Sequence, residues 1–201
     1  DRGGILQVGP ESAGANPGPA CYGQGNDRPT VTDANVLLGR INAERPIGGK
    51  IAALDVHAAA SAVHKHVGEP LGLDDLDAAE ALIRVANSRM AGAIRLVSIE
   101  RGHDPRKFTA MPFGGGGALH AGALVHEVGL AGALVPRFPG VTSAIGCVIA
   151  DMRHDFVQTL NCLLDALDLS ALSHEINHLV ADGRARLVEA GVKLEKIEEI
   201  V

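Results

Sequence analysis

The sequence predicts an α/β fold, and three observations carry that prediction. An apolar stretch from Phe108 runs into four consecutive glycines, Gly114–Gly117, and a helix-forming run and a second apolar stretch follow. That order of strand, turn, helix and strand is the signature of a crossover unit. Upstream, Leu82, Val85, Ala86, Met90, Ala93 and Val97 recur at three- and four-residue steps, the spacing of an amphipathic helix. Finally, 46% of the 201 residues are hydrophobic and 21% charged, enough apolar material for a core. Aromatic residues make up only 2%, so that core must be aliphatic.

Taken in order, residues 1–50 form a loop region punctuated by Gly and Pro, with a short strand expected around Leu6–Val8. "TVTDANVLLGRI" then reads as a helix that Thr32 or Asp33 would cap. A helical segment fills 51–107: a short helix over 55–68 ending at Gly68, and the long helix, ending near Gly102. The α/β unit occupies 108–162. "FTAMPFGGGG" is its first strand and turn, Ala118–Val128 its helix and Ala133–Val135 its second strand. "PGVTSAIGCVIADM" reads as a turn entering a helix, and "HDFVQTL" as a further strand. A C-terminal helical segment over 163–201 is dominated by one helix at 170–190, closed by Gly191.

Composition also narrows the function. A formal net charge of −6 argues against a nucleic-acid partner or an anionic membrane surface. No apolar run approaches the ~18 residues of a spanning helix, because His126, Glu127 and Arg137 interrupt the best candidate. The three cysteines, Cys21, Cys147 and Cys162, are widely spaced and form no CxxC, which fits reduced thiols in a cytoplasmic protein. Asp1 follows no Met, and "KLEKIEEIV" lacks a closing turn signal, so an excised segment is expected.

The glycine run is the first candidate site. Glycine loses the most backbone freedom on folding, so four in a row need a reason. One is a tight turn with positive φ; the other is a ligand lying close against the backbone at a helix start. The run matches neither GxGxxG nor a phosphate-binding Walker loop, and from the residues alone both uses stay open. His120, just inside the following helix, could face such a ligand or simply bond a neighbour. His120 and His126 lie about 240° apart around a helix, and His64 and His66 about 200°, so neither pair shares a face for a metal.

"HEINH" at His174–His178 matches the H-E-x-x-H zinc pattern, with Glu175 as the base. The helix wheel contradicts that use. Leu169, Leu172, Ile176, Leu179, Val180 and Leu187 form the apolar stripe, and both histidines fall about 160° from its centre, on the solvent side. Nothing in the pattern requires Glu195 or Glu198 as a third ligand, so no metal site is assigned. Asp33 reads first as a helix cap and second as a catalytic carboxylate; its neighbour Asn35 carries no separate assignment. Glu11 and Ser12 fit a ligand contact or a turn closure equally, and Arg84, Arg89, Arg95 and Arg101 read as the solvated face of the long helix.

Two longer stretches change this reading. "VGPESAGANPGPACYGQGNDRPTVTDANVLLGRI" and "MAGAIRLVSIERGHDPRKFTAMPFGGGGALHAGALVHEVGLAGALVPRFPGVTSAIGCVIADMRHDFVQTL" resemble the hydantoinase A / 5-oxoprolinase family. That family includes N-methylhydantoinase subunits and is similar to the β subunits of acetone and acetophenone carboxylases. The likeness covers about residues 1–162, with "TVTDAN" and "ERGHDPR" among its most distinctive stretches. The family pattern is expected to have Asp where Asn16 stands, Ala at or near Gly116, and Pro where Ala118 stands. The last change removes a preset helix start but leaves the loop permissive.

The resemblance implies part of an actin-like ATPase or sugar-kinase-type (ribonuclease H-like) domain, the second of two that hold ATP between them. It places Gly114, Gly115, Gly116 and Gly117 in the adenosine-side turn. Its phosphate motifs, of the type DxGGTxTD, are absent from this sequence and are expected upstream of Asp1, so this chain alone is expected to be inactive. The implied reaction is ATP- and Mg²⁺-dependent opening of a small cyclic amide or imide through a phosphorylated intermediate. A second hydantoinase-type subunit completes the enzyme. The carboxylase β-subunit type is the alternative; a zinc peptidase through HEINH and a non-catalytic nucleotide-binding or purely structural domain follow it. The catalytic residues stay unassigned beyond Asp33 and His120.

Overall fold

A computed structural model describes residues 5–46 and 51–200. Residues 1–4 and 47–50 of the predicted loop region lie outside them. The chain divides into two compact units, Asp1–Ile145 and Gly146–Val201.

The first unit is built on helices α1 (Val31–Leu37), α2 (Val56–Val63) and α4 (Asp75–Val97). Their contact faces supply Ala34, Val63, Ala78, Ala79, Leu82 and Ile83 to the larger apolar cluster. A smaller cluster gathers Cys21, Val36, Leu54 and Ala59. Small alanines let these helices approach closely, as a chain poor in aromatics requires. Leu6 and Val8 pack against the larger cluster without forming the predicted strand. Val8 instead offers its carbonyl to the Arg89 guanidinium, so a helix and not a neighbouring strand satisfies this segment.

The cap of α1 also differs from expectation. It is Thr30, not Thr32 or Asp33: Thr30 Oγ1 accepts from the Asp33 amide at 3.3 Å, and the Asp33 carboxylate accepts from the Thr30 amide at 2.8 Å. This is a reciprocal capping box with Asp in the place usually held by Glu or Gln. Asp55 caps α2 by accepting from the Ala58 amide at 2.9 Å. The helical path then passes Gly68 through a π turn, His64–Gly68, and a one-turn α3 (Glu69–Leu71). It stops at Gly72, whose φ is +66°. Gly68 serves close packing instead of termination, because a Cβ there would lie 3.0 Å from the Leu73 carbonyl oxygen.

Helix α4 begins at the Asp74 cap and buries Leu82 and Ala86 as its periodicity predicts. Ala93 and Val97 are exposed, however, because the buried face at that end shifts to Ala91. The arginines of α4 are not all idle solvent contacts. Besides Arg89, Arg95 donates to the Glu127 carbonyl at 2.6 Å, tying α4 to the end of α5 (Gly117–Val128). A cation near the last carbonyls of a helix suits its dipole.

Helix α5 is the predicted crossover. It connects β1 (Thr109–Ala110) to β2 (Gly132–Ala133), which pair in parallel with Thr109 opposite Gly132 and Ala110 opposite Ala133. Both strands are shorter than expected: pairing stops at Ala133, and Leu134 and Val135 are exposed. The predicted turn into a helix appears as Pro139–Val141 followed by α6 (Thr142–Ile149), within which the boundary between the units falls.

In the second unit, α7 (Leu169–Glu189) starts at Asp168, whose carboxylate accepts from the amides of Ser170 and Ala171. Gly191, with φ +92°, follows its end as predicted. The strand expected over "HDFVQTL" is absent; residues 154–160 are irregular. Phe156 instead seats its ring on Gly183 of α7, where a Cβ would lie 3.0 Å from the ring, and Arg186 covers it at 5.6 Å. One aromatic docked on a helix glycine thus takes the place of a strand partner. No helix among the described residues is long and apolar enough to cross a membrane.

Candidate functional site

The glycine turn is open on one side and anchored on the other. Gly114 has φ +82°, a left-handed conformation that L side chains resist, and its amide donates to the Pro139 carbonyl at 2.8 Å. A Cβ built on Gly115 or Gly116 would meet nothing within 4 Å. Gly117 opens α5 with the Pro112 backbone 3.7 Å behind it. Gly116 caps the helix without any side-chain bond. Among the described residues, the amides from Gly115 to Ala118 donate to no protein acceptor. Only Gly114 therefore needs glycine for its φ; Gly115 and Gly116 leave a bare, donor-rich backbone surface at a helix start.

His120 stands in the first turn of α5 and is 6% exposed. Its Nδ1 lies 2.7 Å from Asn87 Oδ1 on α4. An amide oxygen can only accept, so Nδ1 carries the proton and Nε2 presents its lone pair. Burial, and then the positive charge of Arg40, hold the ring below the ordinary imidazole range. His120 is thus a neutral imidazole with a fixed tautomer near pH 7.

Asp33 is fully buried and spoken for. Oδ1 accepts from the Cys21 amide at 2.8 Å, while Oδ2 accepts from the Ala20 amide at 3.1 Å and from the Thr30 amide and hydroxyl, both at 2.8 Å. The carboxylate binds the Ala20–Tyr22 turn to the start of α1, and none of its partners belongs to the glycine turn. Burial, followed by the hydrogen bond to Asp33 and its charge, pushes the neighbouring Cys21 thiol up to about 12, which leaves it an inert core group.

The remaining candidates separate cleanly. Ser12 closes a turn by accepting from the Gly14 amide at 3.1 Å, and Glu11 pairs with Arg28 at the surface. His174 and His178 are exposed on α7, while Leu172, Ile176, Leu179, Val180 and Leu187 are half-buried, as the helix wheel predicts. Leu169, the first residue of the predicted stripe, is exposed instead, because it stands at the helix start. Among the described residues, no group of three or more His, Cys, Asp or Glu stands ready to hold a metal ion. Sequence reasoning missed Asn87 and Arg40. Asn87 was detectable as a polar residue four positions after Ile83, on the buried face of α4; nothing local marks Arg40.

A family model described as hydantoinase/oxoprolinase matches residues 1–156. The caprolactamase subunit alpha of Pseudomonas jessenii is 42% identical over 190 residues, covering 94% of this chain and 27% of that protein. The crystal structure of ATP-dependent caprolactamase from Pseudomonas jessenii superposes with a TM-score of 0.69 at 40% identity, covering 95% of this chain and 28% of that one. The nucleotide-free structure of acetone carboxylase gives a TM-score of 0.69 at 25% identity, over 96% of this chain and 28% of that one. This chain therefore spans little more than a quarter of the length of these relatives.

Proposed function

Because this chain belongs to the hydantoinase/oxoprolinase family and shares its actin-like ATPase/sugar-kinase α/β fold, we propose that it is the adenosine-side portion of an ATP-dependent subunit that opens cyclic amides. The observation that carries this reading is the bare face of Gly115 and Gly116 beside unbonded amides at the start of α5. A flat nucleoside needs backbone without Cβ atoms to lie against, and this turn supplies it where the anchored Gly114 fixes its course. In domain terms, the 201 residues form part of the second domain of such a subunit. The phosphate-binding motifs belong to the longer protein, and a second hydantoinase-type subunit completes the assembly.

Bound ATP supplies the phosphoryl group that turns a poor leaving group, the amide oxygen, into phosphate. The ring's amide oxygen would take the γ-phosphoryl group as ADP departs, and water would add to the activated carbon. The C–N bond would break with the nitrogen leaving as the protonated amine. A second water would attack the carbonyl carbon of the resulting acyl phosphate, so that phosphate leaves with the original amide oxygen. Within this chain, the glycine turn positions the nucleoside so that the reacting groups stay in line. Mg²⁺ would neutralise the phosphates, but the described residues offer it no cluster, so no step is assigned to it here. The likeness to acetone carboxylase supports a second reading, in which the same activation serves a carboxylation.

A heavy-oxygen label in the ring carbonyl of a lactam or hydantoin distinguishes these outcomes. With the full-length protein and its partner, the label is expected in inorganic phosphate in proportion to ring opening. Ring opening with no label in phosphate would overturn the phosphorylated-amide route, and bicarbonate-dependent ATP use on a ketone would favour the carboxylase reading.

A further inference from the structure

The His120–Asn87 pair lies beyond what the glycine turn explains. Helix side chains lean back toward the N-terminus, over the turn before their own, which for His120 is the turn that Gly116 and Gly117 begin. The bond from Nδ1 to Asn87 Oδ1, 2.7 Å long, fixes the ring and leaves Nε2 as an acceptor. Among the described residues, Nε2 receives no hydrogen bond. The sealed, unpartnered side-chain polar atom among them is Asn35 Oδ1, and His120 Nε2 is not counted with it although the residue is 6% exposed. A buried imidazole oriented from behind and unfilled in front is ready to receive a donor.

Resting on the reading that a nucleotide occupies the glycine turn, we propose that His120 Nε2 accepts a hydrogen bond from a ribose hydroxyl of that nucleotide, with Asn87 as its positioning residue. At neutral pH the phosphate oxygens and the ring nitrogens of adenine are acceptors, leaving the ribose hydroxyls and the exocyclic amine as donors. The unbonded amides from Gly115 to Ala118 are donors and favour the acceptor-rich sugar-phosphate end of the nucleotide over the base edge that carries the amine. That end carries the ribose; the amine lies at the far edge of the base. The site is thereby selective for a ribonucleotide.

The test is calorimetric titration of the full-length protein with ATP, 2′-deoxy-ATP and 3′-deoxy-ATP, for the wild type, His120→Phe and His120→Gln. In the wild type, one deoxy analogue is expected to bind about tenfold more weakly than ATP, the effect of one hydrogen bond to a buried acceptor. His120→Phe should lose a similar factor for ATP and no longer distinguish the analogues. His120→Gln, which can still donate to Asn87 and accept through its amide oxygen, should keep part of the discrimination and serves if the Phe variant fails to fold. A purely structural histidine would weaken all three ligands equally, leave discrimination intact in both variants, and overturn the proposal. Equal wild-type affinity for all three nucleotides would also overturn it while leaving the nucleotide reading intact; no wild-type binding of ATP would remove both.

Discussion

The turn held by Asp33 and the turn built from Gly114–Gly117 are both loops leading into a helix, and they handle polar groups in opposite ways. Around Asp33, four donors converge on one fully buried carboxylate, and every one is part of the same chain. At the glycine turn, the amides from Gly115 to Ala118 have no protein acceptor and Nε2 of His120 has no donor among the described residues. The first loop is saturated and behaves as scaffold; the second is left with unspent hydrogen-bonding capacity. Burial alone does not mark a functional side chain. The useful question is whether its partners are already present.

That contrast breaks most visibly at Asp33. Asp33→Ala strips the acceptor from the buried amides of Ala20 and Cys21 and from the half-buried Thr30 amide, and leaving a buried donor unsatisfied costs about 1–3 kcal/mol. Because the loop can partly relax, the expected loss is about 3–5 kcal/mol in urea unfolding of the full-length protein. A variant that keeps its unfolding midpoint but loses all turnover would make Asp33 catalytic and erase the distinction between the two turns. The loss of ribose discrimination in His120→Phe is the intermediate effect, and it moves ligand selectivity instead of folding. The smallest effect is expected at the histidines of α7. His174→Ala should change activity by less than about twofold and stability by less than about 0.5 kcal/mol, as is usual on a solvated helix face. Complete loss of activity, together with one zinc ion per chain in elemental analysis of the wild type, would revive the metal reading.

The crossover was legible because the glycine run divides two apolar stretches at fixed chain positions, and α5 and the parallel pair follow from that order. The long helix was legible from its period, though not the point near Ala91 where its buried face turns. The Thr30 cap had a local signal, Thr followed three residues later by an acidic group, which a search for Thr32 or Asp33 as the cap overlooked. Short apolar stretches were the weak point. Residues 6–8 alternate like a strand and residues 154–160 carry the β-forming Phe156, Val157 and Thr159, but whether a strand forms depends on a partner edge that the stretch does not encode. In both places a helix took the contact, through Arg89 in one and Gly183 in the other. Likewise, the pairing of His120 with Asn87, 33 residues away, is a property of α4 packed on α5, and no local pattern announces it.

The glycine turn as a nucleoside cradle is tested most directly by Gly115→Val in the full-length protein, titrated calorimetrically with Mg-ATP. The Gly115 Cβ position points into open space with no protein atom within 4 Å, and its φ is not positive, so the variant should fold with nearly unchanged stability. A branched side chain there would occupy the ligand's approach, and ATP affinity should fall at least about tenfold, or 1.4 kcal/mol or more. A folded Gly115→Val protein that binds ATP as tightly as the wild type would contradict the cradle and leave the four glycines as a turn alone.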